Sequence, residues 1–241
     1  MSGRFENISP DHFLWKGISF RHDDSVLKIG TDALLLASWI PKILLAPKNI
    51  LDVGTGSGVI AILMAHEFPA ASVIGIDLEE KAVQLAQSNA NSSQYQDRVQ
   101  IEQSGLIAFS KTSNEKFDLM VSNPPFYIHH VLPGSGIMKS AKHAIESIGE
   151  WMKAMAHLLS DDGHVCLILP ASAAFEWTRE ANANQLYCNK KLDIYSNIED
   201  GLPKRSLLCF GRELAKPENT FMTMYNEKKA YTSGYQEWLG I

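Results

Sequence analysis

The run Asn49-Ile50-Leu51-Asp52-Val53-Gly54-Thr55-Gly56-Ser57-Gly58 reads as a short apolar strand, Asn49 to Val53, feeding a turn with glycine at every second position. Val59 to Glu67 follows with helical spacing. Glycine permits positive φ and a close backbone approach that a Cβ would block. Tight strand-to-helix turns also use glycine for packing alone, so the turn gains meaning from its neighbours. Asp52 stands at the end of this strand, and Asp77 closes the next one, Ala71 to Ile76. An acid at the tip of a second strand is placed to accept both hydroxyls of a ribose. The dinucleotide fingerprint would need glycine where Val59 stands, and the phosphate-loop lysine is absent. A nucleoside ligand without phosphates fits such a turn better than a pyrophosphate does.

Outward from this turn, strand and helix alternate as far as Ala183. Glu79 to Asn91 reads as a helix with Ala82, Val83, Leu85 and Ala86 inward, Val99 to Glu102 as a strand, and Phe117 to Ser122 as another. Ser147 to Leu159 is helical, His164 to Leu169 is a strand ending at Pro170, and Ala171 to Ala183 is helical. Leu192 to Asn197 and Leu207 to Arg212 are strands with no helix between them, which predicts an antiparallel hairpin. The expectation is an α/β chain with a Rossmann-like, mostly parallel seven-stranded sheet, an antiparallel edge hairpin and helices on both faces. Phe13 to Asp24 predicts a small N-terminal hairpin, and Ala33 to Ile40 a helix capped by Thr31 or Asp32. One domain over residues 1–241 is expected, with the hairpin and helix in 1–48, the core in 49–213 and a polar tail in 214–241.

Composition narrows the partners. The chain has 241 residues, 45% of them hydrophobic, and a formal net charge of -5. That excludes a globally basic nucleic-acid binder, so any RNA contact needs a local basic face. Lys139, Lys142, His143, Lys190, Lys191, Lys204 and Arg205 are candidates for such a rim, each also explicable as an ordinary solvated charge. Cys166, Cys188 and Cys209 each lie in an apolar run and read as small core hydrophobes. His129 and His130 are adjacent, but nothing at metal-ligand spacing accompanies them, so no metal is expected. Trp15 and Trp39 read as core. The N-terminal residues lack a signal-peptide apolar core, and no apolar run reaches the ~20 residues that span a bilayer. These features predict a cytoplasmic protein with no membrane partner.

The second decisive stretch is Asn123-Pro124-Pro125-Phe126, at the end of the Phe117 to Ser122 strand. Two prolines stop the ladder and stiffen the turn. The turn is either a plain strand stop or a seat for an exocyclic amine, whose protons would go to the Asn123 carbonyl and a backbone carbonyl.

Taken together, the Asp-x-Gly-x-Gly-x-Gly turn, Asp77 and Asn123-Pro124-Pro125-Phe126 resemble the class I S-adenosylmethionine-dependent methyltransferases that act on an exocyclic or amide nitrogen. Lys28-Ile29-Gly30-Thr31-Asp32-Ala33-Leu34-Leu35-Leu36 and Lys139-Ser140-Ala141-Lys142-His143 resemble the bacterial tRNA1(Val) (adenine-37-N6)-methyltransferases, over about Phe13 to Glu213. The resemblance implies S-adenosyl-L-methionine as cofactor and tRNA as partner; the sequence does not show the oligomeric state, and a monomer is the expectation. It assigns cofactor binding to Lys28, Gly30, Thr31, Asp32, Asp52, Gly54, Thr55, Gly56, Gly58, Asp77, Leu78, Ser104, Gly105 and Asn123. At Asp32 a helix cap and a cofactor contact stay equally open. It assigns catalysis to Asn123, Pro124, Pro125 and Phe126, and substrate binding to Phe126, Tyr127, Lys139, Lys142 and His143. Related enzymes carry an acid after the third strand; here Gln103-Ser104-Gly105-Leu106 leaves that contact to Ser104 or a backbone amide. Guanine N2 or a protein glutamine amide would suit the same acceptors. A non-catalytic cofactor-binding RNA module is the reading from another class.

Overall fold

The computed structural model describes residues 6–9 by their backbone and residues 12–22, 30–124, 147–197, 199 and 201–240 in full. Its centre is an eight-stranded sheet. In chain order the strands are β4 (Asn49–Val53), β5 (Ser72–Asp77), β6 (Val99–Gln103), β7 (Phe117–Ser122), β8 (Leu159–Pro170), β9 (Tyr187–Tyr195), β10 (Arg205–Gly211) and β11 (Glu218–Thr223). In space they run β11-β9-β10-β8-β7-β4-β5-β6. β10 pairs antiparallel with both β8 and β9, and every other neighbouring pair is parallel.

The chain starts the sheet at β4, builds outward to β5 and β6, then returns to lay β7 on the other side of β4. Strand order therefore reverses between β4 and β7. Connections diverge there, which leaves a crevice at the carboxyl ends of the two strands. Val53 and Ser122 are register partners, and the Ser122 Oγ donates to the Val53 carbonyl at 2.7 Å. The glycine turn and Asn123 therefore leave the sheet side by side.

Alternation along each strand fills two cores. Ile50, Leu119, Val121, Ile168 and Leu207 face one side; Leu51, Val53, Met120, Leu167 and Leu208 face the other. On the first side lie α1 (Thr31–Ile43), α2 (Val59–Glu67) and α3 (Glu80–Ser92); on the second, α4 (Leu106–Thr112), α5 (Ile148–Leu158) and α6 (Ala174–Ala183). Ala33 to Ile40 of α1 and Val59 to Ala65 of α2 are buried without a break. Helices apolar all round need cover on both sides. A three-stranded antiparallel sheet supplies it, made of β1 (Glu6–Ser9), β2 (His12–Trp15) and β3 (Ile18–Arg21). A C-terminal helix, α7 (Ser233–Leu239), completes the layer, with Tyr235 and Leu239 buried. The Trp15 indole donates to the Leu239 carbonyl at 2.8 Å, joining the two ends of the chain.

Several expectations are corrected. The sheet has eight strands and not seven, because Glu218–Thr223 of the expected tail pairs with β9. β9 and β10 are antiparallel as expected, yet β10 lies inside the sheet and β11 takes the edge. The N-terminal hairpin is a three-stranded sheet. Neither Thr31 nor Asp32 caps α1: Gly30 occupies the cap with no side-chain bond. Trp15 and Trp39 are core residues. So are Cys166 and Cys209, cross-strand partners between β8 and β10, while Cys188 is half-buried. Among the described residues no helix is long and apolar enough to cross a membrane, and no cluster of three or more acids, histidines and cysteines could hold a metal.

Candidate active site at the β4–β7 crevice

The glycine turn folds as the sequence requires. Gly54, Gly56 and Gly58 have φ of +71°, +57° and +81°, values that a side chain at Cβ opposes. Gly58 occupies the left-handed N-cap of α2, and a Cβ there would lie 3.1 Å from the Ala86 Cα of α3. Gly75 of β5 is needed for a different reason: its Cβ would stand 2.8 Å from the Thr55 Oγ1.

That hydroxyl is occupied. The Thr55 Oγ1 donates to the Asp52 Oδ2 at 2.6 Å, and the Ala61 N–H donates to the same oxygen at 3.0 Å. Asp52 is completely buried beneath the turn, and its Oδ1 has no hydrogen-bond partner among the described residues. Burial in a low-dielectric pocket pushes its carboxyl up to about 7, against the two hydrogen bonds, with the nearby Asp77 charge adding to the rise. Asp52 therefore reaches the rim through the turn it holds.

Asp77 stands at the rim and is half-exposed. Its Oδ2 accepts from the Gly56 N–H at 2.9 Å and its Oδ1 from the Glu79 N–H at 3.0 Å. Each oxygen keeps a further lone pair, enough for two hydroxyls of one ribose. Beside it, Leu78 is 43% exposed and packs on Gly105, where a Cβ would meet the Leu78 Cδ2 at 2.9 Å. The Ser104 N–H donates to the Asp77 carbonyl at 3.0 Å. Leu78, Ser104 and Gly105 thus form one wall, apolar at its top, past the ends of β5 and β6.

Across the crevice, Pro124 is buried and Asn123 half-buried. The Asn123 Oδ1 is buried and accepts no hydrogen bond among the described residues. An unsatisfied buried acceptor costs roughly 1–3 kcal/mol, and an incoming N–H donor would recover it.

One contributor escaped the sequence reading. Asn89, on α3, is 3% exposed. Its Nδ2 donates to the Ser57 carbonyl at 2.8 Å and to the Arg21 carbonyl at 2.9 Å, and its Oδ1 accepts from the Arg21 N–H at 2.9 Å. It ties the glycine turn to the N-terminal sheet. The signal available was a polar residue on the apolar stripe continued from Ala82, Leu85 and Ala86.

The other expected residues divide. Gly54, Thr55, Gly56, Gly58, Asp77, Leu78, Ser104, Gly105, Asn123 and Pro124 come together at the carboxyl edge. Asp32 lies at the start of α1, where its Oδ2 accepts from the Arg205 Nε at 2.8 Å, and Arg205 begins β10 in register with Pro170 at the end of β8. Gly30 and Thr31 begin the same helix. In the basic rim, Lys190 pairs with Glu218 and Lys191 with Asp193, and Lys204 is exposed. Lys28, Pro125, Phe126, Tyr127, His129, His130, Lys139, Lys142 and His143 lie outside the described residues.

Comparison with known proteins connects this chain to methyltransferases. Residues 24–163 match the model of the methyltransferase small domain family. A tRNA1(Val) (adenine(37)-N6)-methyltransferase of Glaesserella parasuis is 31% identical over 95% of this chain and 95% of its own. One of Flavobacterium psychrophilum, with the same name, is 30% identical over 92% of this chain and 95% of its own. Among solved structures, a predicted O-methyltransferase of Agrobacterium tumefaciens superposes with a TM-score of 0.66 at 16% identity, covering 86% of this chain and 94% of its own. A ribosomal protein L11 methylase of Lactobacillus delbrueckii follows at 0.58 and 18%, covering 81% of this chain and 86% of its own. At such identities the structural likeness speaks for the fold.

Proposed function

We propose, since the chain belongs to the methyltransferase small domain family and, within it, to the tRNA1(Val) (adenine(37)-N6)-methyltransferases, that it methylates the N6 amine of adenine 37 in tRNA1(Val) with S-adenosyl-L-methionine as donor. The observation that carries this reading is one juxtaposition. A glycine turn with a ribose-competent acid leaves β4 and β5, and the unpartnered, buried Asn123 Oδ1 leaves the adjacent β7.

The residues present fit the cofactor. Gly54 and Gly56 leave open backbone above the strand end, with no atom closer than 4.0 Å to where a Cβ would sit. Asp77 accepts the ribose hydroxyls, and Leu78 with Gly105 flanks the purine. Ser104, or its neighbouring backbone, takes the polar edge of the purine in place of an acid. S-adenosyl-L-methionine, when bound, supplies a methyl already activated on a sulfonium. What remains for the chain is to aim a nitrogen lone pair at that carbon.

Adenine N6 is a poor nucleophile because its lone pair is delocalised into the ring. The Asn123 Oδ1 accepts one N6–H and the Pro124 carbonyl the other. Held by two acceptors, the nitrogen pyramidalises and its lone pair turns out of the ring plane. Positive charge grows on N6 as the new bond forms, so both acceptors bind the transition state more strongly than the ground state. No strong base is required, because the methylated, positively charged nitrogen releases its proton readily to water. Phe126 is assigned the stacking face, and Tyr127, Lys139, Lys142 and His143 the contacts to the RNA around the splayed-out base.

The test is mass spectrometry of nucleosides from tRNA incubated with the purified protein and cofactor, alongside tRNA from cells with and without the protein. N6-methyladenosine at position 37 of tRNA1(Val) is the expected product. Its absence from every tRNA sinks the reading.

A further inference from the structure

The large apolar side chains that stand exposed among the described residues are unevenly distributed. Leu45 and Leu214 lie at the amino edge of the central sheet. Leu78, Phe175, Leu202, Phe221 and Tyr231 lie at or near its carboxyl edge, where the reaction is placed. Leu78 belongs to the cofactor wall. Phe175, Leu202 and Phe221 are 80%, 75% and 67% exposed and lie on the other half of that edge, over the strands beyond Asn123.

Their placement follows from topology. β8 is the parallel neighbour of β7, and Ser122 is in register with Leu167, so β8 ends at Pro170 close beside Asn123 and Pro124. Phe175 is in the first turn of α6, four residues beyond the Ala171 that follows β8. α6 buries Ala174, Trp177 and Ala181 and turns Phe175 to solvent. Leu202 is in the β9–β10 connection, which comes back to the same edge because Arg205 is in register with Pro170. Phe221 of β11 packs edge-on against Tyr195 of β9, centroids 6.4 Å apart at 89°. Ile194 and Met222 turn to the α1 side, so alternation turns Tyr195 and Phe221 to the α6 side, the side of Phe175. Four strand spacings of about 4.8 Å separate β7 from β11, so the tract extends about 19 Å from the reacting turn.

The structure assigns this tract to the unpaired bases of the substrate RNA that flank the methylated adenine; the assignment rests on the function proposed above. A base delivered to Asn123 leaves its stack, and its neighbours lose their stacking partner with it. They need π-faces near the reacting turn. The β4-β5-β6 half of the edge is taken by the cofactor, and the β8-to-β11 half offers the rings of Phe175 and Phe221, with the apolar Leu202 on the same edge. Charge favours stacking over phosphate contacts here. Lys190, Lys191 and Arg205 are each paired with an acid, and the chain as a whole is anionic. A base stacked on an aromatic ring needs no local excess of cations.

The experiment compares Phe175→Ala, Phe221→Ala and the double variant with Phe175→Trp and Phe175→Leu. Turnover gives KM for tRNA and for S-adenosyl-L-methionine, and filter binding gives tRNA affinity without turnover. The expected result is a rise in KM and Kd for tRNA of about five-fold or more for each alanine variant. KM for the cofactor stays constant, the loss is equal at low and high salt, and Phe175→Trp behaves as wild type. Unchanged tRNA affinity in the double variant overturns the assignment. Full retention by Phe175→Leu also overturns it, since that would mark an apolar seat for a protein or a second copy. A wild-type chain that methylates no tRNA sinks the proposed activity; a wild type that methylates, with a double variant that does so equally well, sinks the tract alone.

Discussion

The side-chain nitrogen of Asn89 donates to the carbonyl of Ser57 at 2.8 Å, so the last turn of α3 holds the glycine turn from behind. The same side chain makes both of its other bonds to the backbone of Arg21. Asn89→Ala strips partners from three backbone groups at once. We expect a loss of about 2–3 kcal/mol in stability, because the Ser57 carbonyl is left inside the protein without a donor. We also expect weaker cofactor binding, because the turn loses its backing. Thermal melts and calorimetric titration read the two effects; an unchanged melting temperature would remove Asn89 from the frame of the site.

Asn123→Ala separates chemistry from cofactor binding. Removing an acceptor that strengthens in the transition state should lower kcat by about 100-fold or more. The affinity for S-adenosyl-L-methionine, measured by calorimetry, should stay within about three-fold, since the amide faces the acceptor amine. Surviving turnover would contradict the two-acceptor mechanism.

Asp77→Ala should act in the opposite way. The variant loses the carboxylate proposed to accept the ribose hydroxyls, together with the bond from the Gly56 N–H. KM for the cofactor should rise by about ten-fold or more, while KM for tRNA stays unchanged. Steady-state kinetics with each substrate varied in turn decides the point.

Asp52 makes stability depend on pH with a defined sign. Its carboxyl is pushed up to about 7 by burial, from the ordinary value of 3.8. Between those values the folded chain holds more protons than the unfolded chain at this site. Its contribution is therefore complete at low pH and is lost as pH climbs toward and through 7. Asp52→Asn removes the titration, so stability should decline less than in wild type between about pH 5 and about pH 8. The difference should be on the order of 2–4 kcal/mol. Denaturant melts at the two pH values measure it, and parallel declines would refute it.

Two glycines in one turn should respond differently to alanine. Gly54 and Gly58 both have positive φ, so each substitution costs about 1 kcal/mol or more of backbone strain. Around Gly54 a Cβ meets nothing within 4 Å, whereas at Gly58 it meets the α3 backbone at 3.1 Å. Gly58→Ala should be the more destabilising, with α3 pushed off the start of α2. Equal melting temperatures for the two variants would contradict the close approach.

Much of the site is legible in the chain because its chemistry is local. Positive φ calls for Gly54, Gly56 and Gly58; prolines end a strand at Asn123; an acid closes β5 at Asp77. Alternation and apolar runs located seven of the eight strands of the central sheet, and Trp15 and Trp39 read correctly as core. Residues whose partners are far away in sequence were misread or missed. The helix-cap reading of Asp32 fails, because Gly30 takes the cap and the Asp32 carboxylate pairs with Arg205, 173 residues on. Glu218–Thr223 read as tail because an edge strand with mostly exposed side chains carries no apolar pattern; only the open edge of β9 makes it a strand.

The sequence by itself determined that a glycine turn, an acid and an asparagine followed by two prolines occur in that order at strand ends. It determined this because φ preference, proline sterics and side-chain period act within a few residues. Only the tertiary structure decided that β7 lies against β4, which puts Asn123 beside the turn and leaves its buried oxygen awaiting a donor. It also decided that Asn89 backs the turn and that Phe175 and Phe221 share one edge with the reaction. Those relations depend on strand order and long-range pairing, which the hydrophobic pattern of any single segment does not encode.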